Sequence, residues 1–311
     1  MAFTANDVKV LRETTGVGMM DCKRALAETD GDMEKAIDYL REHGLAAAQK
    51  KAGRITAEGV AYATSLDGVG VVVEINSETD FVAKNEKFSD FVKAISEIVA
   101  KEAPADIDAL MACKYPGGAN TVTEQLQEMI LVIGENISIR RFVRYADGMS
   151  IPYVHAGGKI GVIVNLDVSS ITDMDAVTEL GKDIAMQIAA MRPIYLNAEA
   201  VGASELDKEK EIQLNKAIEE NKAKNLPDDK VRQVAEKMVQ GRINKFYEEV
   251  CLLNQPYVKE NKISVQQHVA QVAKTLGGTI KVNAFTRFEK GEGIEKKADD
   301  FANEVASMVN K

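Results

Sequence analysis

Apolar positions along this chain change period several times, and each change marks an element. Val8 and Leu11 fall at helical spacing behind Thr4 or Asn6, either of which can cap a helix that Gly16 stops. A second helix is predicted from about Met19 through Ala25 and Leu26, breaking near Asp30-Gly31-Asp32. A third carries Ala36, Ile37 and Leu40 and is predicted to end at His43-Gly44. Residues 1–54 therefore read as a small three-helix module whose core is marginal alone. Ala46 to Arg54 reads as a tether, its basic run (Lys50, Lys51, Arg54) either solvated linker or a contact for RNA or an acidic partner.

Beyond residue 60 the pattern turns to strands. Val69 to Ile75 is a nearly continuous β-branched run, as in a buried strand, and ends at Asn76-Ser77. The polar stretch from Ser77 to Asn85 reads as a loop before a helix that places Phe88, Phe91, Val92, Ile95, Ile98 and Val99 on one side. Pro104 and Pro116-Gly117-Gly118 suggest an irregular insertion over about 101–124, and Ile137 to Tyr145 alternates like a half-exposed strand. The same order then recurs. Gly161 to Asp167 mirrors Gly70 to Asn76 at an offset of 91 residues, followed by a helix with Ile184, Met186, Ile188 and Ala189. Ile280 to Arg287 closes this unit as Ile137 to Arg144 closes the first. Two related α+β units, 55–147 and 148–290, are predicted to share one core. The second is interrupted at about 204–250 by a charged helical hairpin. Fourteen of the 27 residues from 204 to 230 are charged, Asn225-Leu226-Pro227-Asp228 turns the chain, and Val231, Val234, Ala235 and Met238 follow at helical spacing. Such an arm is either solvated or a contact site.

Composition narrows the function. At 311 residues the chain suits two or three domains, and 45% hydrophobic with 28% charged residues supplies cores and a solvated surface. A net charge of −9 argues against broad nucleic-acid binding, although the first 54 residues are neutral by themselves. No stretch approaches a membrane span, the N-terminus lacks a secretory pattern, and the helical module starts almost at Met1, so the cytoplasm is expected. Cys22, Cys113 and Cys251 lie far apart without a C-x-x-C, which argues against a zinc ribbon and a disulfide framework. His43, His155 and His268 lack metal-ligand spacing. In Gly157-Gly158-Lys159-Ile160-Gly161 the lysine precedes Ile160 where a phosphate loop needs Ser or Thr, so those glycines read as a turn, as do Gly291 and Gly293. Cys22 reads as a packed thiol. No catalytic set emerges, and no enzyme, cofactor or metal is expected. What remains is apolar side chains in polar settings. Met19 and Met20 follow a Gly-Val-Gly turn and either fill their own module or make an adaptable contact. Phe81, directly behind Asp80, either tucks under its own helix, the plainer reading of its spacing, or stands out as a contact.

At these places the chain resembles the bacterial elongation factor Ts family. Leu11 to Leu26 (LRETTGVGMMDCKRAL) and Glu74 to Lys84 (EINSETDFVAK) match its two signatures, and the likeness continues through Ile133-Gly134-Glu135-Asn136-Ile137, Tyr153-Val154-His155, Gln255-Pro256-Tyr257-Val258 and Arg287 to Ile294. The resemblance implies a guanine-nucleotide exchange factor for elongation factor Tu, in its GDP-bound and nucleotide-free forms, acting in translation. It implies an α+β fold: a ubiquitin-associated-like three-helix module, a two-part core with antiparallel sheets, a helical hairpin and a C-terminal helix within 291–311. Arg12, Met19, Met20 and Lys23 would dock on the partner's nucleotide-binding domain. Thr79, Asp80, Phe81 and Val82, backed by Ile133 and Gly134, would form a wedge that displaces magnesium and GDP. His155 and Val258 would touch a second domain, with Lys259 departing from the apolar residue expected beside Val258. A homodimer within a heterotetramer stays open. The alternative is a non-catalytic adaptor, which would tolerate loss of Phe81; an enzyme on the α/β core would need a pocket of convergent polar groups.

Overall fold

Thr4 starts the first helix by a reciprocal cap. In the computed structural model, which describes residues 3–222 and 228–295, the Thr4 hydroxyl accepts from Asp7 N–H while the Asp7 carboxylate accepts from Thr4 N–H. This helix, α1 (Ala5–Thr15), ends at Gly16, whose φ of +70° lets its N–H reach back to the Arg12 carbonyl. α2 (Met19–Glu28) and α3 (Met33–Lys51) follow, the latter capped by Asp32. Leu11, Cys22, Ala25, Leu26, Ala36 and Leu40 form their shared core, completed from outside by Leu131 and Val132.

That completion corrects the tether. α3 does not stop at His43-Gly44 but continues to Lys51, because Ala46-Ala47-Ala48 are strong helix formers and the buried Gly44 fits against the backbone of Gln127. The basic run is the end of this helix rather than a linker, with Lys50 exposed and the other two cations partnered. Lys51 donates to the Ile130 carbonyl at 3.4 Å, and Arg54 pairs with Glu78 at 3.4 Å.

The first unit is an antiparallel sheet of order β1-β2-β3, comprising β1 (Glu58–Leu66), β2 (Val69–Ser77) and β3 (Ile137–Tyr145). A one-turn helix α4 (Asp80–Ala83) precedes α5 (Glu86–Glu102), whose Phe88, Phe91, Ile95 and Val99 pack with Val71, Val73 and Ile75 of β2. The stretch 101–124 is not an irregular insertion. It holds α6 (Ile107–Ala112) and leads into α7 (Val122–Ile133), capped by a Thr121–Glu124 box, with Leu110 and Val122 fully buried in the unit's core.

The second unit repeats the plan. β4 (Met149–His155), β5 (Ile160–Ser169) and β8 (Thr279–Glu289) form a sheet of order β4-β5-β8, covered by α8 (Met174–Met191) and α11 (Val265–Thr275). Between α8 and β8 the chain makes α9 (Ala203–Lys222), α10 (Asp228–Val250) and a small ribbon of β6 (Pro256–Tyr257) with β7 (Glu260–Ser264). α9 and α10 pack on each other through Ala217, Asn221, Val231, Ala235 and Ile243, with Arg242 paired to Glu220 at 2.6 Å; Val234 instead stays exposed. The predicted turn at 225–227 and C-terminal helix lie outside the described residues, the latter apart from its first few.

The repeat is spatial as well as sequential. β2 and β5 are the central strands, and each slips register with its closing strand at equivalent places, between Glu74/Ile75 and between Asn165/Leu166. The two sheets meet face to face through Ala61, Ala63, Val72, Ile163 and Phe288. Gly70 and Gly161 occupy equivalent positions and make reciprocal close contacts. A Cβ on Gly70 would lie 2.4 Å from Ser150 Cβ, and one on Gly161 would lie 2.9 Å from the Ala61 carbonyl.

Candidate partner-binding site

The loop after β2 is held by two glutamates that work in opposite directions. Glu135, just past α7, accepts from Thr79 N–H at 2.9 Å and from the Thr79 hydroxyl at 2.6 Å. Glu78, in the loop itself, accepts from Asn136 N–H at 2.6 Å and faces Arg54. Asn136 in turn donates through Nδ2 to the Arg54 carbonyl at 3.0 Å, and the Ser77 hydroxyl donates to the Thr79 carbonyl at 2.9 Å. The bonds to the two carboxylates are charge-assisted and of the stronger class, whereas those to the Arg54 and Thr79 carbonyls are neutral. They fix residues 52–54, 77–79 and 134–136 as one mount.

α4 stands on that mount. Thr79 is its N-cap, and Val82 points into the core of the first unit. One helical position earlier, Phe81 points the other way and is 78% exposed. The plainer expectation from spacing, a ring tucked under its own helix, is therefore wrong: Val82 takes the inward position, and a single turn cannot bury both. Lys84 pairs with the half-exposed Asp80 at 3.0 Å and lies 5.9 Å from the centre of the Phe81 ring. Behind the loop, Ile133 packs on the core and Gly134 ends α7 at a φ of +84°. Thr79, Asp80, Phe81, Val82, Ile133 and Gly134 are thus brought together. Glu78, Glu135 and Asn136, which hold them, lie inside the stretches Glu74 to Lys84 and Ile133 to Ile137, but the sequence assigned them no role of their own.

The N-terminal module abuts this mount. Gly16 lies against Lys87 in the first turn of α5, where a Cβ would come within 2.5 Å of Nζ. Met19 and Met20 open α2 and are 52% and 69% exposed, so they do not fill their own module. Arg12 and Lys23 are exposed as well. Cys22 is packed: it is fully buried, and burial pushes its thiol pKa up.

His155 and Val258 belong to the second unit and are held separately. His155 ends β4, exposed, with Nδ1 2.9 Å from the Tyr153 hydroxyl. Val258 caps the turn between β6 and β7 and is 53% exposed. Lys259 beside it is paired with Asp183 at 2.6 Å.

His43, His268 and Cys251 are taken up by packing. His43 packs edge-on against Tyr39, and His268 stacks on Tyr257. Burial raises the Cys251 thiol to about 11, the opposite of an activated nucleophile. Among the described residues no group of three or more His, Cys, Asp or Glu side chains is arranged to hold a metal. Nor, among them, is any helix long and apolar enough to cross a membrane.

Comparison with known proteins agrees with this picture. The family model described as elongation factor TS matches residues 78–292. The chain is 51% identical to elongation factor Ts of Trichlorobacter lovleyi over 316 aligned positions, covering 99% of both chains. It is 48% identical to that of Magnetococcus marinus, again over 99% of each, and 46% identical to that of Syntrophotalea carbinolica, over 99% of this chain and all of the relative. With this identity along its whole length, and an exposed aromatic mounted where the family signature falls, the chain belongs to the elongation factor Ts family.

Proposed function

We propose that this chain releases GDP from elongation factor Tu by driving Phe81 into the partner's nucleotide-binding domain. Family membership supplies the coarser statement, a nucleotide exchange factor acting in translation elongation. The observation that carries the finer one is the 78% exposed Phe81 ring on a clamped one-turn helix. An exposed phenylalanine is costly in water and gains by burial in a partner. Burying a ring of roughly 150–250 Å² returns about 4–6 kcal/mol at about 25 cal/mol per Å². Because about 1.36 kcal/mol is tenfold in rate, part of that energy suffices for an acceleration of about a thousandfold.

In this reading Thr79, Asp80, Phe81 and Val82, backed by Ile133 and Gly134, disturb the magnesium and phosphate site of the partner. Arg12, Met19, Met20 and Lys23 dock on the same partner domain, and His155 and Val258 engage a second one. The mount matters because a wedge that yields transmits no strain. Linkage then gives the direction: a factor that prefers the empty partner weakens nucleotide, and nucleotide weakens the factor equally. GTP entering the empty site displaces the factor. No covalent bond is made or broken.

The test is stopped-flow release of fluorescent GDP from elongation factor Tu by the unaltered chain and by Phe81→Ala. Fast release by the former, and release slower by tenfold or more with binding largely kept by the latter, is the expected result. Equal acceleration by both would remove the wedge. No acceleration by a folded, unaltered chain would overturn exchange and favour an adaptor.

A further inference from the structure

The turn that presents Val258 is held on α8 by two residues one helical turn apart. Asp183 accepts from the Tyr257 hydroxyl through Oδ2 at 2.8 Å and from the Lys259 ammonium through Oδ1 at 2.6 Å. The fully buried Gln187 accepts from Val258 N–H at 2.8 Å and donates to the Pro256 carbonyl and to Gln255 Oε1, both at 3.1 Å. On its far side the Tyr257 ring stacks on His268 of α11, with centroids 4.0 Å apart and planes 12° from parallel. Burial and the bond to Asp183 raise the Tyr257 pKa, so its hydroxyl remains a donor at working pH.

The residues on either side of Val258 therefore bond the same carboxylate, and Val258's own backbone is bonded between them. Lys259 directs its charge inward to Asp183. We propose that Asp183, Tyr257 and Lys259 are positioning residues that hold Val258 ready for its contact with elongation factor Tu, so that Lys259 acts through the turn rather than on the partner. This rests on the exchange reading above. A contact loop fixed before encounter loses less freedom on binding than one that must be ordered at the interface, and that difference appears as affinity.

The experiment measures the dissociation constant for elongation factor Tu, and the concentration giving half-maximal GDP release, for Asp183→Asn, Tyr257→Phe and Lys259→Met. Each is made alone and together with Val258→Ala. Thermal unfolding checks that every variant folds, and Tyr257→Phe keeps the stack on His268 while removing one bond to Asp183. Val258→Ala is expected to weaken binding by about tenfold, the effect of losing two buried methyl-sized groups. Lys259→Met and Asp183→Asn are expected to weaken it by up to about fivefold, as suits a half-exposed ion pair, with half-saturation changing more than the maximal release rate. In the Val258→Ala background the same changes are expected to add nothing, because the side chain they position is gone. Equal losses in both backgrounds, or no loss in either, would overturn the inference. No effect of Val258→Ala itself would also overturn it while leaving exchange by Phe81 intact. An unaltered chain that forms no complex would instead overturn the exchange reading beneath it.

Discussion

The two halves of the core share a plan and differ at the two places where the plan is under most constraint. Both central strands slip register at equivalent residues. In the first unit that residue is Glu74, fully buried and bonded by Arg140 at 2.8 Å, Arg141 at 2.6 Å and Gly291 N–H at 2.8 Å. In the second it is Asn165, whose amide donates to the Asp147 carbonyl at 2.6 Å and the Ser150 hydroxyl at 3.1 Å. The first slip is thus a buried ionic knot reaching across to the end of the second unit, and the other is neutral and local. The loops that follow differ too. Eight residues, including α4, separate β2 from α5, whereas four separate β5 from α8. The longer loop exposes Phe81; the shorter one tucks Ile171 into the core. Shared strands specify the scaffold, and departures from the repeat specify what each half can do.

The sharpest break is at the register slip. Glu74→Ala leaves two arginines without their buried partner and is expected to destabilise by about 3–5 kcal/mol in urea unfolding. Asn165→Ala, losing neutral bonds, should lose about 1–3 kcal/mol. Equal values would mean that the charge at Glu74 has no special role.

Next comes the exchange of roles between loops. Ile171→Ala is expected to lower stability by about 2–4 kcal/mol and leave GDP release at saturating factor unchanged. Phe81→Ala should leave stability within about 0.5 kcal/mol and slow release. If both variants changed both readouts, the division between scaffold and wedge would fail.

Smaller effects are expected where the sheets touch. Gly70→Ala and Gly161→Ala each force atoms apart across the same interface, at about 1–3 kcal/mol apiece. A near-neutral result for one of them would show that the contact is reciprocal in position only.

The smallest difference is in acid response. Burial lowers the pKa of His268 from 6.5, against opposing pulls from Asp183 and Glu260 and with Lys259 acting in the same direction as burial. The unfolded chain therefore takes up this proton first as pH falls. Stability is fully present above the unfolded pKa and declines as pH drops from there through the folded value. The unfolding midpoint should fall slightly between pH 7.5 and pH 5.5, and His268→Phe, which keeps a ring on Tyr257, should flatten that part of the profile. The first unit contains no histidine and has no counterpart to this slope.

What could be read in advance follows the strength of each pattern. β2, β5, α5 and α8 were legible because their buried faces are long and made of large side chains. β1 was not, because its buried positions are Gly59, held close by β2, and Ala61 and Ala63, which face the sheet opposite, and small residues give no hydrophobic period. β4 was lost similarly, with Pro152 in its middle. α7 was hidden behind Pro116-Gly117-Gly118, which form only the turn between the bridged Lys114 and Thr121, directly before the helix. α3 was cut short because Gly44 looks like a stop unless one knows that the helix packs there on Gln127. In the site, the signatures fixed which residues to watch, but no spacing told Phe81 from Val82. That choice is made by Glu135 holding Thr79 from 56 positions away in sequence.

The paired glycines carry a wider consequence. Two identical chains joined by a two-fold contact must accept every substitution twice, so a loop lengthened into a tool would appear on both sides, needed or not. Gly70 and Gly161 preserve the geometry of such a self-complementary contact inside one polypeptide, where each half mutates alone. The covalent link frees the two halves from matching elsewhere: one carries the longer loop with Phe81, and the other carries the α9–α10 arm.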